Sequence, residues 1–117
     1  REARVGIFGL TFKEDVPDIR NSRVPDIYRE LADFGLQPLV HDPVASADDA
    51  LREYGISLSS IDQFQDLDGI VLAVNHQQYG DQIGALLARL GPESVLIDVK
   101  SMVNAASLPD GVRYWSL

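Results

Sequence analysis

GIVLAV, residues 69–74, is an apolar run with no polar residue on either parity. A half-buried strand alternates apolar and polar side chains, because successive residues point to opposite faces. A run that does not alternate needs both faces covered. The same holds for Val95–Ile97 within SVLIDV (Ser94–Val99). Strands buried on both faces belong to parallel sheets flanked by helices.

Outward from this run the chain alternates strand and helix. RVGIFGL (Arg4–Leu10) is a β-rich first strand, followed by a long polar turn up to Ser22. Ser22 stands where a helix N-cap would. Val24, Ile27, Tyr28, Leu31 and Phe34 then recur at helical spacing until Gly35, with Pro25 in the first turn where its missing N–H does no harm. QPLVHD is the second strand. Ser46 caps a second helix bearing Ala47, Ala50, Leu51 and Tyr54, stopped by Gly55; GISL is a short third strand, and Ile61–Phe64 a helical turn after Ser60. Residues 69–74 form the fourth strand, and a helix with Tyr79, Ile83, Leu86, Leu87 and Leu90 ends at Gly91-Pro92. SVLIDV is the fifth strand and VRYW (Val112–Trp115) the last, with Tyr114 and Trp115 as core aromatics at the sheet edge. The predicted fold is an α/β, Rossmann-like three-layer sandwich, with a parallel sheet of five to six strands and helices on both faces. It is one domain over residues 1–117, with strand order 3-2-1-4-5-6.

Composition narrows the function. Eighteen acidic against ten basic residues leave a net charge of −8, which disfavours nucleic acid and anionic membrane surfaces as partners. No stretch is long and apolar enough to span a bilayer, and no signal-peptide pattern opens the chain, so a cytoplasmic location is expected. Without cysteine there is no disulfide, thiol nucleophile or thiolate metal site. Of the ten basic residues only two are lysines, Lys13 and Lys100, and each follows an apolar run.

In an open parallel sheet the ligand lies beyond the carboxyl ends of the strands, where strand order reverses. Loops after the first, fourth and fifth strands then share one crevice, and the first and third of these start about 10 Å apart. Lys13 and Lys100 lie in that row, able to meet a diphosphate as point charges. The plainer alternative pairs them with Glu14, Asp15 or Asp98. A dinucleotide fingerprint is missing: the first turn reads Gly6-Ile7-Phe8-Gly9-Leu10-Thr11-Phe12, with bulk where backbone must approach phosphate. Asp42 after the second strand mimics a ribose-binding acid, but HDP (His41–Pro43) is equally a strand-ending turn. Asp42 and Asp98 also suggest an acidic pocket of the kind that holds a metal. Neither His41 nor His76 has neighbours at metal-ligand spacing, and no serine sits in a nucleophile elbow. No catalytic residue, cofactor site or metal site is expected in this chain.

Read in full, Phe12-Lys13-Glu14-Asp15-Val16-Pro17-Asp18-Ile19-Arg20-Asn21-Ser22 resembles the F-K-x-[DN]-x-x-D-x-R-x-S signature of nucleotide-sugar dehydrogenases. HDP, VLAVNHQQY (Val71–Tyr79) and LIDVKS (Leu96–Ser101) continue the likeness in order. The resemblance is to the carboxyl-terminal, UDP-binding domain of the UDP-glucose/GDP-mannose dehydrogenase family. PDIRNSRV and Lys100 resemble its UDP-N-acetylhexosamine branch.

The resemblance implies a UDP-sugar ligand and a parent enzyme of polysaccharide biosynthesis that oxidises the sugar C6 hydroxyl to a carboxylate with NAD. It also implies partner regions, an amino-terminal NAD-binding domain with a catalytic cysteine and a central dimerising helix, in a full-length homodimer. This chain is expected to be the excised recognition part, inactive as an oxidoreductase by itself. The implied substrate-binding residues are Phe12, Lys13 and Lys100, with Lys13 reaching sugar or diphosphate and Lys100 phosphate. Arg20 either touches ligand or braces the turn through Asp18 or Asp15. His76 either meets the nucleotide or stands exposed in its loop. The alternative function is an assembly module with negligible affinity alone, whose cue would be exposed apolar surface around Val16, Pro17 and Ile19. An independent dinucleotide-dependent enzyme is the third reading.

Overall fold

In the computed structural model, which describes residues 3–116, the apolar runs become five strands of one sheet. These are β1 (Val5–Phe8), β2 (Leu39–His41), β3 (Leu67–Leu72), β4 (Leu90–Asp98) and β5 (Arg113–Ser116). All pairings are parallel and the order is β2-β1-β3-β4-β5, reversing between β1 and β3. The expected third strand shrinks to a single bridge between Leu58 and Val40. Ile56 is drawn into the core and the Ser59 N–H reaches the Val40 carbonyl at 2.7 Å. Ser60 then turns the chain into a 3₁₀ turn over Ile61–Gln63, so no ladder can grow.

Four helices complete the layers: α1 (Val24–Asp33), α2 (Ala47–Tyr54), α3 (Gln77–Asp81) and α4 (Ile83–Leu87). On one face Ile7, Val40 and Val71 pack with Val24, Ile27 and Leu31 of α1 and with Ala50 and Tyr54 of α2. On the other, Phe8, Ile70, Leu72 and Leu96 pack with Phe64, Tyr79 and Leu86. Neighbours Ile7 and Phe8 are both fully buried on opposite faces, which is what a non-alternating run means physically. Each such side chain contributes about 1.5–3 kcal/mol on burial. Gly6 is part of this packing, since a Cβ there would lie 2.6 Å from the Phe64 ring.

Several local expectations are corrected. Arg23, not Ser22, is the N-cap of α1; the Ser22 hydroxyl accepts from the Val24 N–H at 3.1 Å, one residue earlier. Ser46 does cap α2, accepting from the Asp49 N–H at 3.2 Å, and Gly55 ends it in the left-handed region. The single helix expected to run to Leu90 breaks at Gln82 (φ −116°), and Leu90 already opens β4 opposite Leu67. Gly91-Pro92 falls inside β4 at a register irregularity, one of the few places a strand tolerates proline. Phe34, Leu51 and Trp115 are 85%, 56% and 63% exposed, not core. Trp115 sits beside Ile97 on the edge strand, and the connection from β4 to β5 carries only a 3₁₀ turn at Ala105–Ser107, so nothing is laid over it. Among the described residues no helix is long and apolar enough to cross a membrane.

Candidate functional site

The chain leaves β1 through Gly9, at φ +109°, where a Cβ would lie 2.7 Å from that of Val74; a side chain is excluded both ways. The polar turn that follows is fastened at every stage. Leu10 and Thr11 donate their N–H groups to Asp42 Oδ2 at 2.7 and 3.1 Å. The Phe12 N–H reaches the Asp18 carbonyl at 2.7 Å and closes the turn on itself. Tyr54 of α2 donates to the Ile19 carbonyl at 2.6 Å, and Ile19 is buried. Asp15 and Asn21, at φ +61° and +62°, make the reversals. Asp15 Oδ1 accepts from the Gln77 N–H at 2.9 Å.

His76 lies beneath the turn, fully buried. Its Nδ1 accepts from the Asp15 N–H at 2.9 Å, so the network assigns the proton to Nε2. Nε2 lies 2.9 Å from Asp42 Oδ2 and 3.1 Å from Thr11 Oγ1, and the Thr11 hydroxyl donates to the Lys13 carbonyl at 3.0 Å. The ring therefore does not stand in solvent, and both its nitrogens are engaged by the protein. His41, the other histidine, is held near neutral by burial, with Nδ1 2.8 Å from the Tyr79 hydroxyl. Burial pushes the Tyr79 hydroxyl up, and the Asp42 charge adds to it.

Asp42 takes a role that neither the ribose nor the metal reading assigned to it. Its Oδ2 accepts from Leu10, Thr11 and His76, and its Oδ1 from the Val44 and Ala45 N–H groups at 2.8 and 2.9 Å. Burial alone would raise its pKa, but the bonds from His76, Leu10, Val44 and Ala45 outweigh that and hold the carboxyl far below the usual carboxylate range. No lone pair is left for a ribose. Asp98 is likewise engaged, accepting from Met102 and Val103 N–H at 3.0 and 2.8 Å and from the Tyr114 hydroxyl at 2.8 Å. Among the described residues no three potential metal ligands cluster.

What remains open is a crevice of about 240 Å³ at the carboxyl ends of β1, β3 and β4, lined by Phe12, Asn21, Arg23, Val74, Val99 and Lys100, among others. Phe12 is 55% exposed there. Lys13 stands on the exposed arm of the turn and is not part of this lining. Neither lysine forms an ion pair with a described residue, so the pairing with Glu14, Asp15 or Asp98 is not made. Arg20 forks Asp18 at 3.0 and 3.1 Å, and the fork lowers the Asp18 carboxyl and raises the guanidinium. Asp18 is one of the two partners, with Asp15, named for a bracing role. Arg23 is the cation that the sequence reading passed over. It caps α1 at the crevice without an ion pair to a described residue, and its only signal was the RNSR run before the helix. Two cations in the lining, Arg23 and Lys100, neither in an ion pair with a described residue, and a third, Lys13, on the adjoining turn suit an anionic, partly aromatic ligand.

The family described as the UDP-glucose/GDP-mannose dehydrogenase family, UDP binding domain, matches residues 6–105. The chain is 45% identical over 103 residues to a UDP-N-acetyl-D-glucosamine 6-dehydrogenase of Pseudomonas aeruginosa, covering 87% of this chain and 24% of that protein. It is 37% identical over 100 residues to the enzyme of the same name from Salmonella typhi, covering 85% and 24%. The chain thus spans about a quarter of the length of these curated relatives. Among solved structures, a UDP-D-ManNAc dehydrogenase from Pyrococcus horikoshii shares the fold at a TM-score of 0.74 and 18% identity, over 98% of this chain and 25% of that one. A UDP-glucose dehydrogenase from Pyrobaculum islandicum matches at 0.70 and 25% identity, over 98% and 25%.

Proposed function

The chain belongs to the UDP-glucose/GDP-mannose dehydrogenase family, as its UDP binding domain, and from that premise we propose that it recognises the diphosphate of a UDP-sugar. The observation that carries this reading is Lys100 in the lining of a crevice where strand order reverses, with Lys13 on the turn beside it and neither lysine in an ion pair with a described residue. Lys100 lies in the lining and meets phosphate directly. Lys13 reaches in from the turn once the anion is present. Arg23 adds field, Phe12 offers a flat apolar wall to ring or sugar, and Arg20 keeps the turn's shape through Asp18. His76 supports the site from below.

The relatives' names point to a UDP-N-acetylhexosamine as the sugar nucleotide. Oxidation, with NAD, is then the work of the other regions of the whole protein, because this chain carries no cysteine to hold a covalent intermediate. Thermal unfolding of the 117-residue chain tests this reading. Millimolar UDP and UDP-N-acetylglucosamine should each raise Tm, and NAD should not. Equal shifts with NAD, or none with UDP, would contradict it.

An assembly role is the second reading, and it has its own observation. The cue named for it is weak, since Ile19 is buried and Val16 half-buried. A different apolar cleft, lined by Ile27, Leu31, Phe34, Val71, Ile97 and Val99, lies along the open side of the sheet. Its apolar character fits a packing partner better than a nucleotide.

A further inference from the structure

We infer that His76 is a positioning residue for the nucleotide site: held on Asp42, it fixes the backbone on both sides of Lys13 without touching ligand. The inference rests on the reading of Lys13 as a phosphate contact. One side of Lys13 is held directly, because Asp15, two residues on, gives its N–H to Nδ1 at 2.9 Å. The other side is held through Thr11, whose hydroxyl spans from Nε2 at 3.1 Å to the Lys13 carbonyl at 3.0 Å. Both links need the proton on Nε2 and an open lone pair on Nδ1, and the Asp42 carboxylate at 2.9 Å holds the proton on Nε2. Asp42 is in turn fixed by four backbone N–H groups from two loops. A long, mobile side chain finds a phosphate with less loss of freedom when its own backbone is already still. Asp15 adopts its left-handed φ of +61° because the bond to His76 and the bond from Gln77 hold it there.

The two ring nitrogens can be mimicked separately. His76→Asn keeps an acceptor near Nδ1 for Asp15 and gives up Asp42. His76→Gln keeps a donor toward Asp42 and releases Asp15. The probes are UDP titration by calorimetry and exchange of the Asp15 amide in the ligand-free chain, each also in the Lys13→Ala background. His76→Gln should free the Asp15 amide to exchange about tenfold faster and weaken UDP about tenfold, with His76→Asn closer to wild type. In the Lys13→Ala background the histidine changes should cost no further affinity, because their effect runs through Lys13. A loss of equal size in both backgrounds would mean general damage and overturn the inference. So would a freed Asp15 amide with unchanged affinity, and in both cases the binding reading would survive. A wild-type chain that ignores UDP would instead overturn the binding reading, and this inference with it.

Discussion

The two lysine-bearing loops are built by the same device at different range. Each is organised by a buried strand-end aspartate that gathers backbone N–H groups of the loop it begins, but Asp42 also holds a turn thirty-two residues away. The Lys13 turn is therefore a tertiary object. It exists only when β1, β2, β3 and α2 are already assembled, since His76 and Tyr54 also fasten it. The Lys100 loop is more local, tied to its neighbours in the sheet by Tyr114 on Asp98 and Val103, by Ser116 on Ser101, and by the Val99 N–H on the Leu72 carbonyl. Damage to the first should reach the fold; damage to the second should stay near the loop.

The sharpest way to break this contrast is Asp42→Asn. It leaves buried N–H groups and His76 without their acceptor and should cost about 3 kcal/mol or more by denaturant unfolding. Asp98→Asn, which loses fewer donors, should cost about 1–2 kcal/mol in the same measurement. Equal losses would end the distinction between a tertiary and a local turn.

Acid separates the two loops differently. The folded Asp42 carboxyl titrates below its unfolded value of about 3.9, so its contribution is complete above about pH 5 and is lost as pH falls through the folded value. His41, whose pKa burial lowers, works in the same direction below about pH 6.5. Stability followed from pH 7 to pH 3 should fall in wild type and fall less steeply in Asp42→Asn. A parallel decline in both would place the acid sensitivity elsewhere. Smallest of all, Lys13→Ala and Lys100→Ala should each leave stability within about 0.5 kcal/mol, because both side chains are exposed and unpaired.

Much of this was legible in residue order. The non-alternating runs at 69–74 and 95–97 declared the sheet parallel and doubly covered, whereas the order reversal was taken over from the doubly wound pattern and comes from the pairing of β1 with both β2 and β3. The turn's signature and Lys100 pointed to the crevice, while Lys13 stands on the turn outside its lining. What escaped is what depends on contacts made across the sheet. His76 sits between Asn75 and Gln77, flanks that suggest a surface loop, and only the arrival of Asp15 and Asp42 shows why the ring is buried. Asp42 looked free for ribose because its donors come from Leu10, Thr11, Val44 and Ala45, and backbone donors leave no trace in side-chain chemistry. Trp115 looked like core by type, but an aromatic on an edge strand is covered only if a layer passes over it. The break at Gln82 has no Pro or Gly at that residue to announce it.

We propose that Lys13 and Lys100 together hold a nucleotide diphosphate. The most direct test of this is calorimetric titration of the chain with UDP, for wild type and for Lys13→Ala/Lys100→Ala. Wild type should bind saturably and the double variant at least tenfold more weakly, with an unchanged unfolding midpoint. Undiminished UDP affinity in that variant would contradict it.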